Sequence, residues 1–377
     1  MTASGAAGAG ARRPVLEVLE PGLLTTIQDS GRRGHRSEGV PLAGACDPVG
    51  LAVANLLMGN APGDAAIECT ITGPELLALD DVIVGLGGAD LGAVAMPSGR
   101  RLLPGRAHRL SAGERLVMPG TLTPDESRDG LVQGCRAYVA VPGGIDEPVL
   151  LGSRSTSRVG GFGGHDGRPL RAGDQLTVLG RDSAPGVAVH AHWPSDVALP
   201  GPNDPVRILP GPPIGAAPDA DPDARSAAHA ALLAGTWRVG AASDRRGLRL
   251  EGPPLSGEVA ADAPSHGVIP GAIQLTPSGQ PLVLLSDAGT TGGYPVIGVA
   301  IAADLGILGQ ARPGAILRFV ATDAAGARAA AVELRARLAG GAERLAAERL
   351  VPEEPSADPH AAPSRDAWDD LADSAGG

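Results

Sequence analysis

Short apolar runs recur along this chain and are separated by segments rich in glycine and proline. Residues 15–19 alternate in the manner of a strand with one buried face. Residues 281–285 and 296–301 are continuously apolar, which is typical of buried strands. The same reasoning predicts strands at residues 82–86, 137–141, 176–179, 206–209 and 248–251. The pattern therefore predicts a mainly β protein with minor α structure.

Three segments carry helical signals instead. Asp47 is a favourable N-cap and Pro48 a favourable first helical residue, so the sequence predicts a helix over residues 47–58. Residues 224–234 also show a helical pattern. The Ala-, Arg- and Glu-rich residues 324–350 predict a longer helix near the end of the chain.

A turn followed by an alternating strand recurs at residues 111–118, 171–178 and 312–319, which suggests two similar β-barrels. The 377 residues also exceed one ordinary core, so two domains are expected. The predicted division is a disordered tail (1–13), a first barrel (14–181), a linker (182–204), a second barrel (205–322), a C-terminal helix (323–350) and an acidic disordered tail (351–377).

The composition limits the chemistry of this chain. All 31 basic residues are arginine, because the sequence contains no lysine. A Schiff-base lysine, a Walker A lysine and a biotinyl-lysine are therefore excluded, and arginine must bind any carboxylate or phosphate. The net charge of −11, without a basic stripe, argues against nucleic acid as a partner.

Other classes of site are also disfavoured. Cys46, Cys69 and Cys135 form neither a zinc motif nor a plausible disulfide framework, and we expect Cys69 and Cys135 to be buried. No metalloprotease helix or nucleophile elbow is present, and we predict no metal site. Without a signal peptide or a long apolar run, the chain is expected to be soluble and cytoplasmic, with no membrane partner.

Residues 287–295 are the most informative stretch. They join two predicted strands and combine Asp287, Thr290, Thr291, Gly292, Gly293 and Tyr294. Paired glycines allow close approach of a ligand, and threonine hydroxyls beside free N–H groups suit an anion or a carboxylate. A tight glycine-rich turn with a structural tyrosine explains the same residues equally well.

Further candidates lie beside other glycine turns. Asp29 and Arg32 either pair with each other or present a carboxylate and a guanidinium to a ligand. Residues 152–156 place two hydroxyls around an arginine, which suits a small anion. Asp244 and Arg245 lie at a turn, where an ion pair is usually solvated. Gln274 is able to read an amide group, and Asp90 ends a glycine-rich strand.

Five motifs occur in one order, at residues 21–32, 152–156, 243–245, 270–274 and 290–295. With these motifs the chain resembles the biotin-dependent carboxyltransferase-like family. This family includes the C subunit of ATP-dependent 5-oxoprolinase and the corresponding module of urea amidolyase and urea carboxylase. The resemblance covers about residues 14–322 and implies two cyclophilin-like β-barrel domains.

The resemblance implies a C-type 5-oxoprolinase subunit that works with a B-type subunit to activate 5-oxoproline by phosphorylation, while an A-type subunit finishes hydrolysis to glutamate. ATP and Mg²⁺ are expected to be shared with the partner subunit, and no biotin is attached to this chain. Catalytic roles are expected for Arg32, Arg154, Asp244, Arg245 and Tyr294. Substrate-binding roles are expected for Gln28, Asp29, Asp90, Ser153, Ser155, Gln274, Asp287, Thr290, Thr291, Gly292 and Gly293.

Two alternatives stay open. The chain is either a carboxyltransferase module that acts on urea or a similar amide, with biotin carried elsewhere, or a non-enzymatic regulatory binding protein. It departs from common family patterns at Gly289, at Val296 and within residues 245–249. These departures bear on the identity of the substrate more than on the fold.

Overall fold

The computed structural model describes residues 13–120, 134–178, 191–212, 222–255 and 265–349. The described strands of the first domain are β1 (Pro14–Glu20), β2 (Leu24–Gln28), β3 (Ala66–Thr70), β4 (Glu75–Ala78), β5 (Val82–Gly88), β6 (Val94–Met96), β7 (Arg100–Arg101), β8 (Arg106–Leu110), β9 (Arg115–Val117), β10 (Arg136–Ala140) and β11 (Gln175–Thr177). Those of the second are β12 (Val206–Pro210), β13 (Trp237–Val239), β14 (Gly247–Glu251), β15 (His266–Gly267), β16 (Ala272–Leu275), β17 (Pro281–Leu284), β18 (Thr291–Gly292), β19 (Val296–Ala300), β20 (Ile316–Leu317) and β21 (Phe319–Ala321). The helices are α1 (Pro48–Leu57), α2 (Pro222–Ala234), α3 (Leu305–Gln310) and α4 (Ala324–Arg349), with 3₁₀ turns at Arg36–Glu38 and Ala302–Asp304.

Two antiparallel sheets form the first domain, in the orders β11-β1-β4-β9-β6-β7 and β2-β3-β10-β5-β8. On β10, Ala137 and Val139 belong to the core between the sheets, whereas Tyr138 and Ala140 pack against α1. This period of two puts alternate residues on opposite faces, and both faces are covered. Glu68 of β3 lies opposite Tyr138 in the register, so both side chains belong to the outer face.

The second domain is a nearly closed barrel with the strand order β20-β13-β14-β17-β16-β19-β12-β21. Its core is filled by aliphatic side chains around Trp237, with Ile307 and Leu308 of α3 and Leu232 of α2 closing it. The short pair β15–β18 lies beside it and contains Thr291 and Gly292. Aliphatic residues fill both cores because the chain has few aromatics.

The expected fold class is confirmed: the protein is mainly β, with two cyclophilin-like β-barrels. The predicted helix at Asp47 is also confirmed, since the Asp47 carboxylate accepts hydrogen bonds from the backbone N–H groups of Val49 and Gly50, each at 3.0 Å. Each of the three recurring segments forms a turn and then a strand. The exact domain boundaries stay predictions. The predicted tails and residues 182–190 of the predicted linker lie outside the described residues, apart from Arg13.

Helix α4 runs from the second domain to the first. With 26 residues it is about 39 Å long. Near its start, Ala330 packs with Ile301 and Ala303 of the second domain. Near its end, Leu345 is fully buried beside Leu51 of α1. The helix therefore braces the two barrels against each other.

The segment before β12 lies under the last turns of α4. Arg337 donates a hydrogen bond to the carbonyl of Ala198 at 2.9 Å, and Arg344 pairs with Asp196. Gly341 faces the indole ring of Trp193 so closely that no Cβ fits between them. A glycine is thus needed here for space.

We expect Gly341→Ala to loosen this brace, because the added methyl group collides with Trp193. Overpacking of this kind lowers the free energy of unfolding by about 1–3 kcal/mol. Gly340 is the matched control, since a Cβ there meets nothing within 4 Å. Gly340→Ala is expected to be neutral or stabilising by up to about 1 kcal/mol. Urea denaturation of both variants measures the difference, and equal stabilities would contradict the packing of Gly341 on Trp193.

Candidate functional site

Four charged side chains meet where the barrels touch, and we call Glu68, Arg136, Arg245 and Asp287 the interdomain charge cluster. Arg245 is 1% exposed. Its Nε donates to Asp287 Oδ2 at 2.9 Å, and one Nη donates to the carbonyl of Gly44 at 2.7 Å. Its other Nη pairs with Glu68 of the first domain. A single guanidinium thus links two carboxylates and a carbonyl across the interface.

Burial and the neighbouring charges shift the pKa values in this cluster in opposite directions. Burial alone would raise the pKa of Glu68, but the charges of Arg245 and Arg136 outweigh it and hold that pKa below its ordinary value. Burial would lower the pKa of Arg245, yet the charge of Asp287 raises it well above its ordinary value. Glu68 and Arg245 are therefore charged and depend on each other.

These contacts bear on two predictions. Arg245 was expected to have a catalytic role and Asp287 a substrate-binding role, and the structure encloses both side chains and bonds them to each other. We therefore assign them to holding the barrels together. Glu68 and Arg136 were not predicted from the sequence, although a glutamate inside the buried run of residues 66–70 was the available signal.

The N-terminal motif forms a second centre, the Asp29 network of Asp29, Ser153, Arg154 and Ser155. The Asp29 carboxylate accepts hydrogen bonds from Ser153 Oγ at 2.7 Å, from the backbone N–H of Arg154 at 2.6 Å and from Ser155 Oγ. It also accepts one from Gly31 N–H at 2.8 Å. Two predicted motifs far apart in sequence are thus brought together, with Oδ1 of Asp29 accepting three hydrogen bonds and Oδ2 accepting one.

Arg32 supports this network from inside. It is fully buried, its guanidinium lies 4.8 Å from the centroid of the Phe162 ring, and it donates to the carbonyls of Leu150 and Ser155. Burial lowers its pKa, while the charges of Asp29 and Asp287 act in the opposite direction. The structure therefore places Arg32, which was predicted to be catalytic, inside the protein as a support of the Asp29 network, with its Nη1 lacking a partner among the described residues.

Two further predicted residues differ in accessibility. Gln28 is buried and donates to Thr26 Oγ1 at 3.0 Å and to the carbonyl of Thr156 at 3.3 Å, while its Oε1 has no partner among the described residues. The Arg154 side chain is half-buried and makes no hydrogen bond or ion pair with the described residues, and its Nε is buried without a partner. Nη1 of Arg32 also lacks a partner, but Arg32 is fully buried, so Arg154 is the more accessible of these two arginines for an anion.

The loop at 287–295 joins β17 to β19 through the short strand β18. Gln274 of β16 donates to the carbonyl of Tyr294 at 3.2 Å, and a Cβ at Gly292 would lie 2.5 Å from Gln274 Nε2. The Gln274 side chain therefore stabilises the conformation of the loop. The hydroxyls of Thr290, Thr291 and Tyr294 have no hydrogen-bond partner among the described residues, and Tyr294 is 38% exposed.

Arg36 of the first domain reaches this loop and was not predicted. Its guanidinium donates to the carbonyl of Val268 and, at 3.3 Å, to that of Gly289. Burial lowers the pKa of Arg36. The loop is therefore held from both domains.

Asp90 and Asp244 are not part of these centres. Asp90 pairs with Arg101 at 2.6 Å and caps the N–H of Gly92 within the first domain. Asp244 forms a turn with Arg246, at 2.9 Å between carboxylate and guanidinium, in largely solvent-exposed surroundings. Both have local structural contacts that explain them, so we propose no catalytic or binding role for either.

A cleft of about 280 Å³ opens between the barrels, beside both centres. We call it the interdomain cleft. Its walls are mainly apolar, and α4 contributes Leu338 to them. Cys46 also lines it, and burial raises the pKa of its thiol to about 11, so this cysteine is a neutral wall residue. The polar lining residues are Asp29, Ser30, Arg33 and Ser286.

The polar residues that line the cleft suit some ligands and not others. Among its described lining residues, Arg33 is the one cation, which suits a single carboxylate and not the triphosphate of ATP. Within the described ranges, no three His, Cys, Asp or Glu side chains come together to hold a metal ion. The same residues contain no helix long and apolar enough to span a membrane.

The fold and these centres define a class of protein. The family described as "Carboxyltransferase domain, subdomain A and B" matches residues 38–321, and the chain therefore belongs to it. This confirms the resemblance drawn from the five motifs.

Individual relatives differ in length and in name. The C subunit of 5-oxoprolinase from Escherichia coli (strain K12) is 35% identical over 309 residues, which cover 81% of this chain and 91% of that protein. The urea amidolyase of Lachancea kluyveri is 32% identical over 320 residues, but the match covers 17% of that protein. The solved structure of Kluyveromyces lactis urea carboxylase has a TM-score of 0.73 at 26% identity, over 91% of this chain and 30% of that one. The chain thus spans nearly all of the first protein and a minor part of the other two.

Glu68→Gln is expected to destabilise the protein by about 3 kcal/mol at pH 7, because Arg245 loses one of its buried counter-charges. The pKa of Glu68 is lowered in the folded state, so its contribution is complete above the unfolded value of about 4.3 and disappears as the pH falls through the lower folded value. The stability gap between the two proteins should therefore narrow below about pH 4. Denaturation curves between about pH 3 and pH 7 test this.

Glu75→Gln is the control for this prediction. Glu75 pairs with Arg115 at a partly exposed site, and such pairs contribute about 0–1 kcal/mol. A Glu68→Gln variant no less stable than the Glu75→Gln variant would contradict the structural role of the interdomain charge cluster.

Proposed function

We propose that this chain is the C-type subunit of an ATP-dependent 5-oxoprolinase complex, in which it cooperates with a B-type subunit to activate the lactam by phosphorylation. The supporting relationship is the similarity to a protein of nearly the same matched length that is named as the C subunit of 5-oxoprolinase. The supporting structural observation is the interdomain cleft, which is small, mainly apolar and equipped with one unpaired cation. An A-type subunit finishes hydrolysis to glutamate.

The proposed roles of this chain and of the partner subunit follow from the polar groups that this chain provides. ATP and Mg²⁺ are proposed to be shared with the partner subunit, since Arg33 is the one cation among the described residues that line the cleft. This chain holds the lactam and supports the charge that develops on its amide oxygen. Arg154 and the open hydroxyls of Thr290, Thr291 and Tyr294 are the groups able to reach a ligand carried by the partner.

Carboxyl transfer to urea is the second candidate. It is supported by the family to which the chain belongs and by the similarity to a urea amidolyase. Biotin would have to be attached to another chain, because this one contains no lysine. The matched region is 17% of that larger protein, so the remaining functions would require further subunits.

We expect this chain, mixed with purified A-type and B-type subunits, to support ADP release that depends on 5-oxoproline. Omitting this chain should abolish the turnover, because the lactam site would be missing. Coupled detection of ADP and of glutamate measures the reaction. A parallel mixture with urea, a biotin carboxylase and a biotinylated carrier tests the second candidate.

Carboxylation of urea without lactam turnover would replace the first proposal by the second. Ligand binding without turnover in either mixture would favour a regulatory binding protein. An unchanged rate of ADP release when this chain is left out would contradict its role as an essential subunit.

Arg154→Ala is expected to reduce turnover of the assembled complex by about tenfold or more, since a charge-assisted hydrogen bond contributes about 1.5–3 kcal/mol. The free energy of unfolding should change by less than about 0.5 kcal/mol, because the side chain makes no hydrogen bond or ion pair with the described residues. Arg245→Ala provides the contrast, with a large loss of stability. Normal turnover of the Arg154→Ala complex would remove Arg154 from the site.

A further inference from the structure

We infer that the interdomain cleft binds a small monocarboxylate through Arg33 and Ser30, and that this carboxylate subsite selects an acidic amide over a neutral one. The inference builds on the proposed function, since it specifies the chemical class that the cleft accepts. It rests on the geometry of the turn at Gly31, on the charges that line the cleft, and on the free hydrogen-bonding groups of its wall.

The turn at Gly31 separates the inward side chains from the outward ones. Gly31 has a φ of +84°, a conformation that residues other than glycine rarely adopt. The backbone N–H of Arg32 then bonds to the carbonyl of Leu42 at 2.7 Å. As a result, Asp29 and Arg32 are buried, whereas Ser30 and Arg33 are exposed and line the cleft.

Arg33 is the cation that the cleft offers to a ligand. Asp29 is the one acidic residue among the described lining residues, and its carboxylate already accepts four hydrogen bonds. The Arg33 guanidinium makes no hydrogen bond or ion pair with another described residue. A guanidinium binds a carboxylate with two parallel hydrogen bonds, and the Ser30 hydroxyl beside it is a further donor.

The wall provides a complementary acceptor. Ser286 donates its hydroxyl proton to the carbonyl of Ala45 at 3.0 Å, so only the lone pairs of the Ser286 oxygen are left to interact with a ligand. A ligand N–H is therefore the partner that Ser286 is able to accept from. The apolar side chains of Leu42, Leu51 and Leu285 line the remaining space and suit a small hydrocarbon ring. The volume of about 280 Å³ lies just below the range of about 300–1,000 Å³ that drug-sized ligands occupy.

Isothermal titration calorimetry of the full chain tests the subsite with 5-oxoproline and 2-pyrrolidinone, which share the lactam ring and differ in the carboxylate. We expect the acid to bind about tenfold or more tightly than the neutral lactam. Arg33→Gln should weaken binding of the acid by about tenfold and leave binding of 2-pyrrolidinone unchanged. Arg171→Gln is the matched control, because Arg171 is also exposed but lies outside the lining of the cleft.

Equal affinities for the two lactams, unchanged binding of the acid by the Arg33→Gln variant, or no saturable binding of the acid would each overturn the inference. These outcomes are separable from failure of the proposed function. Lactam turnover by the complex with no effect of Arg33→Gln on KM rejects the subsite alone. Acid binding that depends on Arg33, without turnover, rejects the 5-oxoprolinase assignment and keeps the subsite.

Discussion

The buried guanidinium of Arg245 is the constraint on which the arrangement of the two barrels depends. A charge removed from water is tolerated only when opposite charges and hydrogen-bond acceptors surround it. Arg245 has Asp287 in its own domain, Glu68 and the carbonyl of Gly44 in the other, and the barrels must stay in contact to supply them. Separating the domains would leave Glu68 and Arg245 without each other. These contacts therefore hold together the two domains that form the walls of the cleft.

Close backbone contact reinforces the same interface. The first turn of α3 approaches the cap of α1 so closely that a Cβ at Gly306 would lie 2.6 Å from Asp47 Oδ1. Gln310, at the end of α3, donates to Asp47 at 2.7 Å and accepts from the N–H of Arg136 at 2.9 Å. Helix α4 then crosses both barrels from outside. Polar contacts at the centre of the interface and apolar packing of α4 at its periphery thus both stabilise the arrangement of the two barrels.

This rigidity bears on how the proposed subunit works. The groups committed to the interface are enclosed, and the groups left open are Arg33 and Ser30 at the cleft, Arg154 nearby, and the hydroxyls of the loop at Thr290 and Thr291. Such a surface resembles half of a site, organised before a partner arrives. The relatives named as subunits or as parts of longer enzymes are consistent with this arrangement. A preformed half-site lowers the entropic cost of assembling the complete one.

Local signals in the amino-acid sequence predicted many of the elements of this fold. Apolar runs, the Asp47–Pro48 cap, the recurring turn-strand units and two helical patterns predicted a mainly β protein with α1, α2 and α4, because each signal acts over a few residues; α3 was not predicted. Five ordered motifs also predicted the family, which the family match confirmed. The absence of lysine from the sequence excludes several kinds of covalent chemistry whatever the fold.

The packing of the two domains, in contrast, decides which predicted residues are open to a ligand. Arg32, Arg154 and Arg245 look alike in the sequence, yet the first and third are enclosed and the second is half-buried. Asp90 and Asp244 have local partners. Glu68, Arg136 and Arg36 were not predicted because their partners lie far away in the chain. Burial and long-range pairing are properties of the packed domains, and no local pattern of residues encodes them.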